Sequence, residues 1–185
     1  SIVSRVFPST QFGFRKITVE RPLRLNFQAS DERIARLEDE RGFQALAQSK
    51  KKGAAGAKEQ EEGRKQQEAI RKLVRSLPSQ LFKDRDAFEE ALTAAAKKQS
   101  IKLSATVVKA ILSALSERDE TAAICRDKDG RPEPDPELRD TESVPLDESI
   151  ETFFEREVRP HVPDAWIDTT RRDPKDGEVG LVGYE

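Results

Sequence analysis

Apolar and polar residues alternate through "FGFRKITVERPLRLNF", Phe12 to Phe27. Ile17 and Val19 alternate with Thr18 and Glu20, and Leu23, Leu25 and Phe27 with Arg24 and Asn26. A period of two predicts a half-buried strand over 12–28. Pro22 cannot donate to a ladder, so it marks a sheet edge or divides the stretch into two short strands. Lys16, Glu20, Arg24 and Asn26 then share the polar face, which is either wet or in contact with something charged.

The period changes to that of a helix after Phe27. Ser30 before Asp31 and Glu32 is a helix start, with Ile34 and Leu37 as its apolar stripe and Gly42 as an interruption. Ile70, Leu73, Val74 and Leu77 follow at i, i+3, i+4 and i+7, and Pro78 ends that helix. Asp86 with Glu89 reads as a capping box, with Phe88, Ala91, Leu92, Ala95 and Ala96 on one face. Ser104 caps a third helix, in which Val108, Ile111, Leu112 and Leu115 align. The three stripes are expected to pack on one another as core.

Two stretches carry no such pattern. "QSKKKGAAGAKEQEEGRKQQ", residues 48–67, holds no large apolar residue. It cannot bury surface to offset its ordering entropy, so it is expected to be a mobile charged linker or a solvated helix. Residues 122–140 hold a short apolar run, then Asp127-Lys128-Asp129-Gly130, then prolines at 132, 134 and 136. This reads as a β-hairpin. A calcium loop is rejected. With Gly130 as its sixth position, Cys125 and Pro136 would fill the first and twelfth, and the bidentate Glu is missing. Asp147 is expected to cap a last helix with Ile150, Phe153, Phe154 and Val158 inside, Trp166 packing back on it. Residues 169–185 read as a polar tail.

The predicted fold class is therefore α+β, mainly α-helical, with a short N-terminal extended segment and a hairpin around 122–140. The expected organisation is an extended segment over 1–28, a helix over 29–47, a flexible linker over 48–67, a helical domain over 68–168, and the tail.

Charge refines this picture. The chain has 185 residues, and 37% of them are charged. Residues 1–80 hold 17 Lys/Arg against 10 Asp/Glu, whereas 117–185 hold 10 against 21. The basic front suits phosphate and the acidic back repels it, unless both are merely solvated surface. The single cysteine, Cys125, excludes an internal disulfide framework and suits a reducing cytoplasm. No apolar run approaches the roughly 20 residues of a membrane span. The lone His161 lacks partners for metal chemistry and reads as structural. Glycine-rich dinucleotide and phosphate loops and a nucleophile elbow are missing. The residues alone indicate an interaction module rather than an enzyme.

Longer blocks resemble a known family. "FGFRKITVERPLRLNFQ" (12–28), "ALSERDETAAICRDKDGRPEPDPELRDTESVPL" (114–146), "ESIETFFEREVRPHVPDAWID" (148–168) and "VGYE" (182–185) are similar to the methyltransferase (modification) subunit of type I restriction-modification systems. The blocks are collinear and cover under half of the chain. The resemblance implies a parent that methylates adenine N6 in DNA with S-adenosylmethionine, partnered by a specificity subunit and a restriction subunit. The family's Asn-Pro-Pro-aromatic motif and glycine-rich cofactor loop are missing here; both belong to the catalytic domain that precedes this stretch in the family. The resemblance thus implies a fragment C-terminal to the catalytic core, with no catalytic, cofactor-binding or metal residues of its own and no activity alone.

On this reading Ile17, Val19, Leu23, Leu25 and Phe27 tie the appendage to the catalytic core. Lys16, Arg21 and Arg24 face DNA phosphate or an acidic partner surface, unless they pair with Glu20 and nearby acids. A free-standing DNA-binding module and a purely structural subunit-interaction domain are the alternatives.

Overall fold

A computed structural model of the chain describes residues 13–184. The first twelve residues of the expected extended segment, and Glu185 of the "VGYE" block, lie outside the described residues. The fold is α+β: among the described residues there are six α-helices, a four-stranded antiparallel sheet and a two-stranded one. The chain divides into two compact units, Ser1–Leu23 with Arg126–Glu185, and Arg24–Cys125 inserted between them. The expected boundaries at 28/29 and 67/68 are corrected accordingly.

The first unit is built on β1, Gly13–Glu20. β4, Asp140–Pro145, pairs antiparallel along one edge of β1, from Phe14↔Pro145 to Val19↔Asp140. Along the other edge, β6 (Leu181–Tyr184) pairs with Gly13–Lys16, and β5 (Trp166–Ile167) pairs with Val19–Glu20. Ile17 and Val19 pack with Val144, Phe154, Val158 and Ala165 in the apolar cluster of this unit. Phe154 and Val158 of this cluster come from a π-turn, Phe154–Val158, that continues α6 (Ile150–Phe153). The cap of α6 is Ser149, whose hydroxyl accepts from Thr152 N, not Asp147. Trp166 lies across from Glu20 in β5, and its neighbours Ala165 and Ile167 meet the Phe154 cluster instead. The residues expected as a polar tail fold back through Asp173, whose carboxylate accepts from Lys175 N and Val182 N, and deliver β6 to β1.

The hairpin expected around 122–140 has a tight turn. Asp127 N donates to Arg131 O at 2.8 Å, Arg126 bridges Pro132, and Gly130 takes φ +77°. The Asp127 carboxylate accepts from Asp129 N and Arg131 N, so its oxygens serve the turn.

The inserted unit is helical. The helix expected over 29–47 is instead four short pieces: α1 (Asp31–Ala35), a 3-10 turn to Asp39, α2 (Arg41–Gln44) and a second 3-10 turn to Ala47. Glu40 breaks the run by taking an extended backbone, φ −76° and ψ 120°. α3 (Gly53–Arg75), α4 (Arg85–Lys98) and α5 (Ala105–Leu115) follow. Ser30 and Ser104 cap α1 and α5 as expected from the sequence. α4 is capped by Asp84, which accepts from Ala87 N, rather than by Asp86. Ile70, Leu73, Val74, Phe88, Leu92, Ile111 and Leu115 are all in one core. β2 (Leu25–Phe27) pairs with β3 (Ser116–Arg118) and places Phe27 on the Phe88 ring, centroids 5.0 Å apart.

Of the two forms expected for 48–67, a flexible linker or a solvated helix, the helix is found from Gly53 onward. Its glycines are packing surfaces. A Cβ on Gly63 would overlap the Leu46 carbonyl, and one on Gly56 would overlap the Lys51 carbonyl. Segment 45–51 therefore runs against the α3 backbone, and Gln67 secures it by donating to Phe43 O at 2.9 Å. Backbone-to-backbone contact replaces the large side chains whose absence suggested disorder.

At an exposed helix position Gly→Ala stabilises by about 1 kcal/mol. Gly63→Ala is expected to reverse that sign and cost about 1–3 kcal/mol by overpacking. Urea denaturation followed by circular dichroism measures it; a stabilised variant would contradict the close approach.

Candidate interaction surface on the first strand

The three basic residues singled out from the sequence meet different surroundings. Lys16 is exposed on β1, between Ser143 of β4 and Leu181 of β6, with no hydrogen-bond or ion-pair partner among the described residues. Arg21 is half-buried just past the end of β1, and its Nε is buried with no hydrogen-bond partner among the described residues. Its backbone is held, since Arg21 O accepts from Asp135 N at 2.8 Å.

Arg24 belongs to the helical unit and is used there. Its guanidinium donates to Ala122 O at 2.8 Å, its own carbonyl accepts from Asp119 N, and its backbone bridges Ile124. Two residues on, the Asn26 amide donates to the Asp119 carboxylate at 3.0 Å. Asp119 also accepts from Thr121 N and Oγ1, at 2.8 and 2.6 Å. The Thr121 hydroxyl first, then Asn26, hold the Asp119 carboxyl down from 3.8 to about 2. Arg24 is thus part of a closure that joins the two ends of the inserted unit.

The polar face expected on β1 is half wrong. Thr18 and Glu20 are 4% and 3% exposed, so only Lys16 of that face reaches solvent. Both faces of β1 are therefore buried near its end, where Thr18 and Glu20 project oppositely to Ile17 and Val19. Glu20 is held by Arg139, whose guanidinium donates to Oε1 at 2.7 Å; Oε2 is buried without a partner among the described residues. The alternative that the arginines near Pro22 neutralise Glu20 is therefore replaced by a cation from 119 residues later.

Arg15 was not singled out from the sequence, although it is the most firmly paired cation of β1. It contacts Asp176 at 2.6 Å, and this bond raises the arginine's pKa and lowers that of the acid. No local signal marks a partner 161 residues away. The proposed tie is corrected too. Ile17 and Val19 are buried in the first unit's own cluster, Phe27 is wholly buried in the helical core, and Leu25 packs against that core.

His161 lies in the exposed turn after the π-turn, its N–H donating to Val158 O. Among the described residues no group of His, Cys, Asp and Glu could hold a metal ion, and no helix is long and apolar enough to cross a membrane. No protein-family model, curated protein or solved structure matches the chain.

Two outcomes follow from this geometry. Arg139→Ala leaves a buried carboxylate unpaired and is expected to cost about 3 kcal/mol, with most of the loss recovered by adding Glu20→Gln; denaturant melts of the three variants decide it, and an R139A melt like that of the wild type would contradict the pairing. Asp119 has a folded pKa below its unfolded one, so its contribution is present above about pH 4 and is lost as pH falls through its folded value of about 2. Asp119→Asn is expected to flatten the acid limb of the stability profile of the helical unit in that window. An unchanged limb would show that the carboxylate is not held.

Proposed function

We propose that the chain is a non-catalytic region of a type I restriction-modification DNA methyltransferase subunit, one that assembles with specificity and restriction subunits in the cytoplasm and helps to position DNA. The full-length parent would methylate adenine N6 using S-adenosylmethionine; this stretch carries neither step.

One observation supports the reading most strongly. The blocks that carry the resemblance are one another's strand partners. β1 and β2 lie in 12–28, β3 and β4 in 114–146, β5 in 148–168, and β6 ends in the "VGYE" block. Every strand pairing joins two of these blocks. Segments that are collinear with a family in sequence and mutually paired in space are what an inherited framework requires. Residues 48–113, which match the family only in character, supply most of the inserted helical unit.

Within this reading the basic residues separate. Lys16 is an exposed cation suited to phosphate, which positions DNA without reading its sequence; Arg21 is half-buried with its Nε shut away, so its phosphate contact falls to its terminal nitrogens. Arg24 has a structural task. The stand-alone DNA-binding alternative is opposed by residues 126–185 of the same unit, where Asp and Glu outnumber Lys and Arg by 18 to 9.

In the assembled methyltransferase, Lys16→Ala with Arg21→Ala is expected to weaken DNA binding equally across sequences. The slope of log affinity against log salt should become shallower by about 2, close to 0.9 per lost phosphate contact. Arg24→Ala should leave the slope unchanged. An unaltered slope in the double variant removes DNA contact from the proposal, and failure of the chain to capture its cognate specificity subunit removes the assembly role.

A further inference from the structure

A groove of about 280 Å³ lies between α4 and the start of α5. Its floor is apolar, made by Leu92 and Ala96 of α4, Ile101 and Leu103 of the connection, and Val108 of α5. Glu89, Thr93 and Lys97 form the α4 rim. Beyond the rim the outer face of α4 is an open, shallow surface of Asp86, Glu90, Thr93, Ala94 and Lys97.

Charge along this face is sorted. Asp86 and Glu90 occupy the N-terminal half of α4, and Lys97 and Lys98 its last turn. All four are exposed, and none has an ion-pair partner among the described residues; Arg85 and Glu89 of the same helix pair at 4.0 Å. The helix dipole favours acids in the first turn and bases in the last. That accounts for Asp86 and for Lys97 and Lys98; Glu90, beyond the first turn, shares a stripe with Asp86 and Lys97, an apolar groove beside it. Asp86, Glu90, Thr93 and Lys97 follow one another at i, i+4, i+7 and i+11, the spacing of a single helix face.

The stripe complements itself. Glu90 and Lys97 are about 10 Å apart along the helix axis at 1.5 Å per residue. Their midpoint falls between Thr93 and Ala94. A two-fold axis through that point lays an identical helix antiparallel on the first and opposes Glu90 to Lys97 twice, as an isologous contact requires. A parallel copy would instead set acid against acid. Thr93 and Ala94 at the crossing are small, which permits helices to approach to the usual spacing of about 8–10 Å. The apolar floor beside the crossing is then covered.

We infer that the outer face of α4 and its adjoining groove form a two-fold interface between two copies of this chain, with α4 antiparallel on α4 and Glu90 of each copy paired with Lys97 of the other. This interface does not depend on the methyltransferase reading. Glu90 and Lys97 lie outside the surface assigned to DNA.

Sedimentation equilibrium of the 185-residue chain over a concentration series tests it. The wild type is expected to dimerise, more weakly as salt rises. Glu90→Lys and Lys97→Glu alone each turn two attractive pairs into two repulsive ones and are expected to raise the dimer dissociation constant about tenfold or more. The E90K/K97E double variant restores the pairing with reversed sign and returns to the wild-type constant. An equimolar mixture of the two single variants forms a heterodimer. Circular dichroism checks that each variant is folded, and the neutral Thr93→Gln, larger than threonine, blocks the crossing independently of charge. A monomer at every concentration, a dimer indifferent to both reversals, or a double variant that is not restored overturns the inference.

Discussion

The first unit depends on β1 being hydrogen-bonded along both edges. β4 takes one edge, and β5 and β6 divide the other. All three arrive from more than 100 residues later in the chain, after the helical unit has been completed. A strand paired on both sides has no edge to leave open, and its backbone groups are satisfied without solvent. Glu20, at the end of this strand, is buried, and Arg139 donates to its carboxylate.

The same constraint sorts what was legible in the sequence from what was not. Elements set by local chemistry were readable: the alternation of β1, the caps at Ser30 and Ser104, the stripe from Ile70 to Leu77, the turn at Asp127–Gly130. Each rests on residues within one or two turns of one another. Apart from the caps of α4 and α6 and the break at Glu40, the failures are long-range. Arg15 finds Asp176, Glu20 finds Arg139 and Leu181–Tyr184 finds the start of β1, and nothing local announces these partners. The glycines of α3 were misread for a related reason. Gly56 and Gly63 look like flexibility in isolation, but they are places where a neighbouring backbone comes too close for a Cβ.

The candidate surface was legible in kind and not in detail. The sequence pointed to a basic strand; Lys16 is exposed on it and Arg21 half-buried just past its end. It did not separate them from Arg24, which differs only because Ala122 and Asp119 return to meet it. The helices of Arg24–Cys125 satisfy their own core around Phe27, Phe88 and Ile111. β2 with β3 joins the two ends of that unit.

Amide hydrogen exchange of the chain tests the central role of β1 most directly. With both edges paired, the β1 amides from Phe14 to Val19 should be among the slowest to exchange in their unit, protected together with those of β4. Exchange of the β1 amides at the rate of an unstructured peptide, while the helical unit stays protected, would contradict the account.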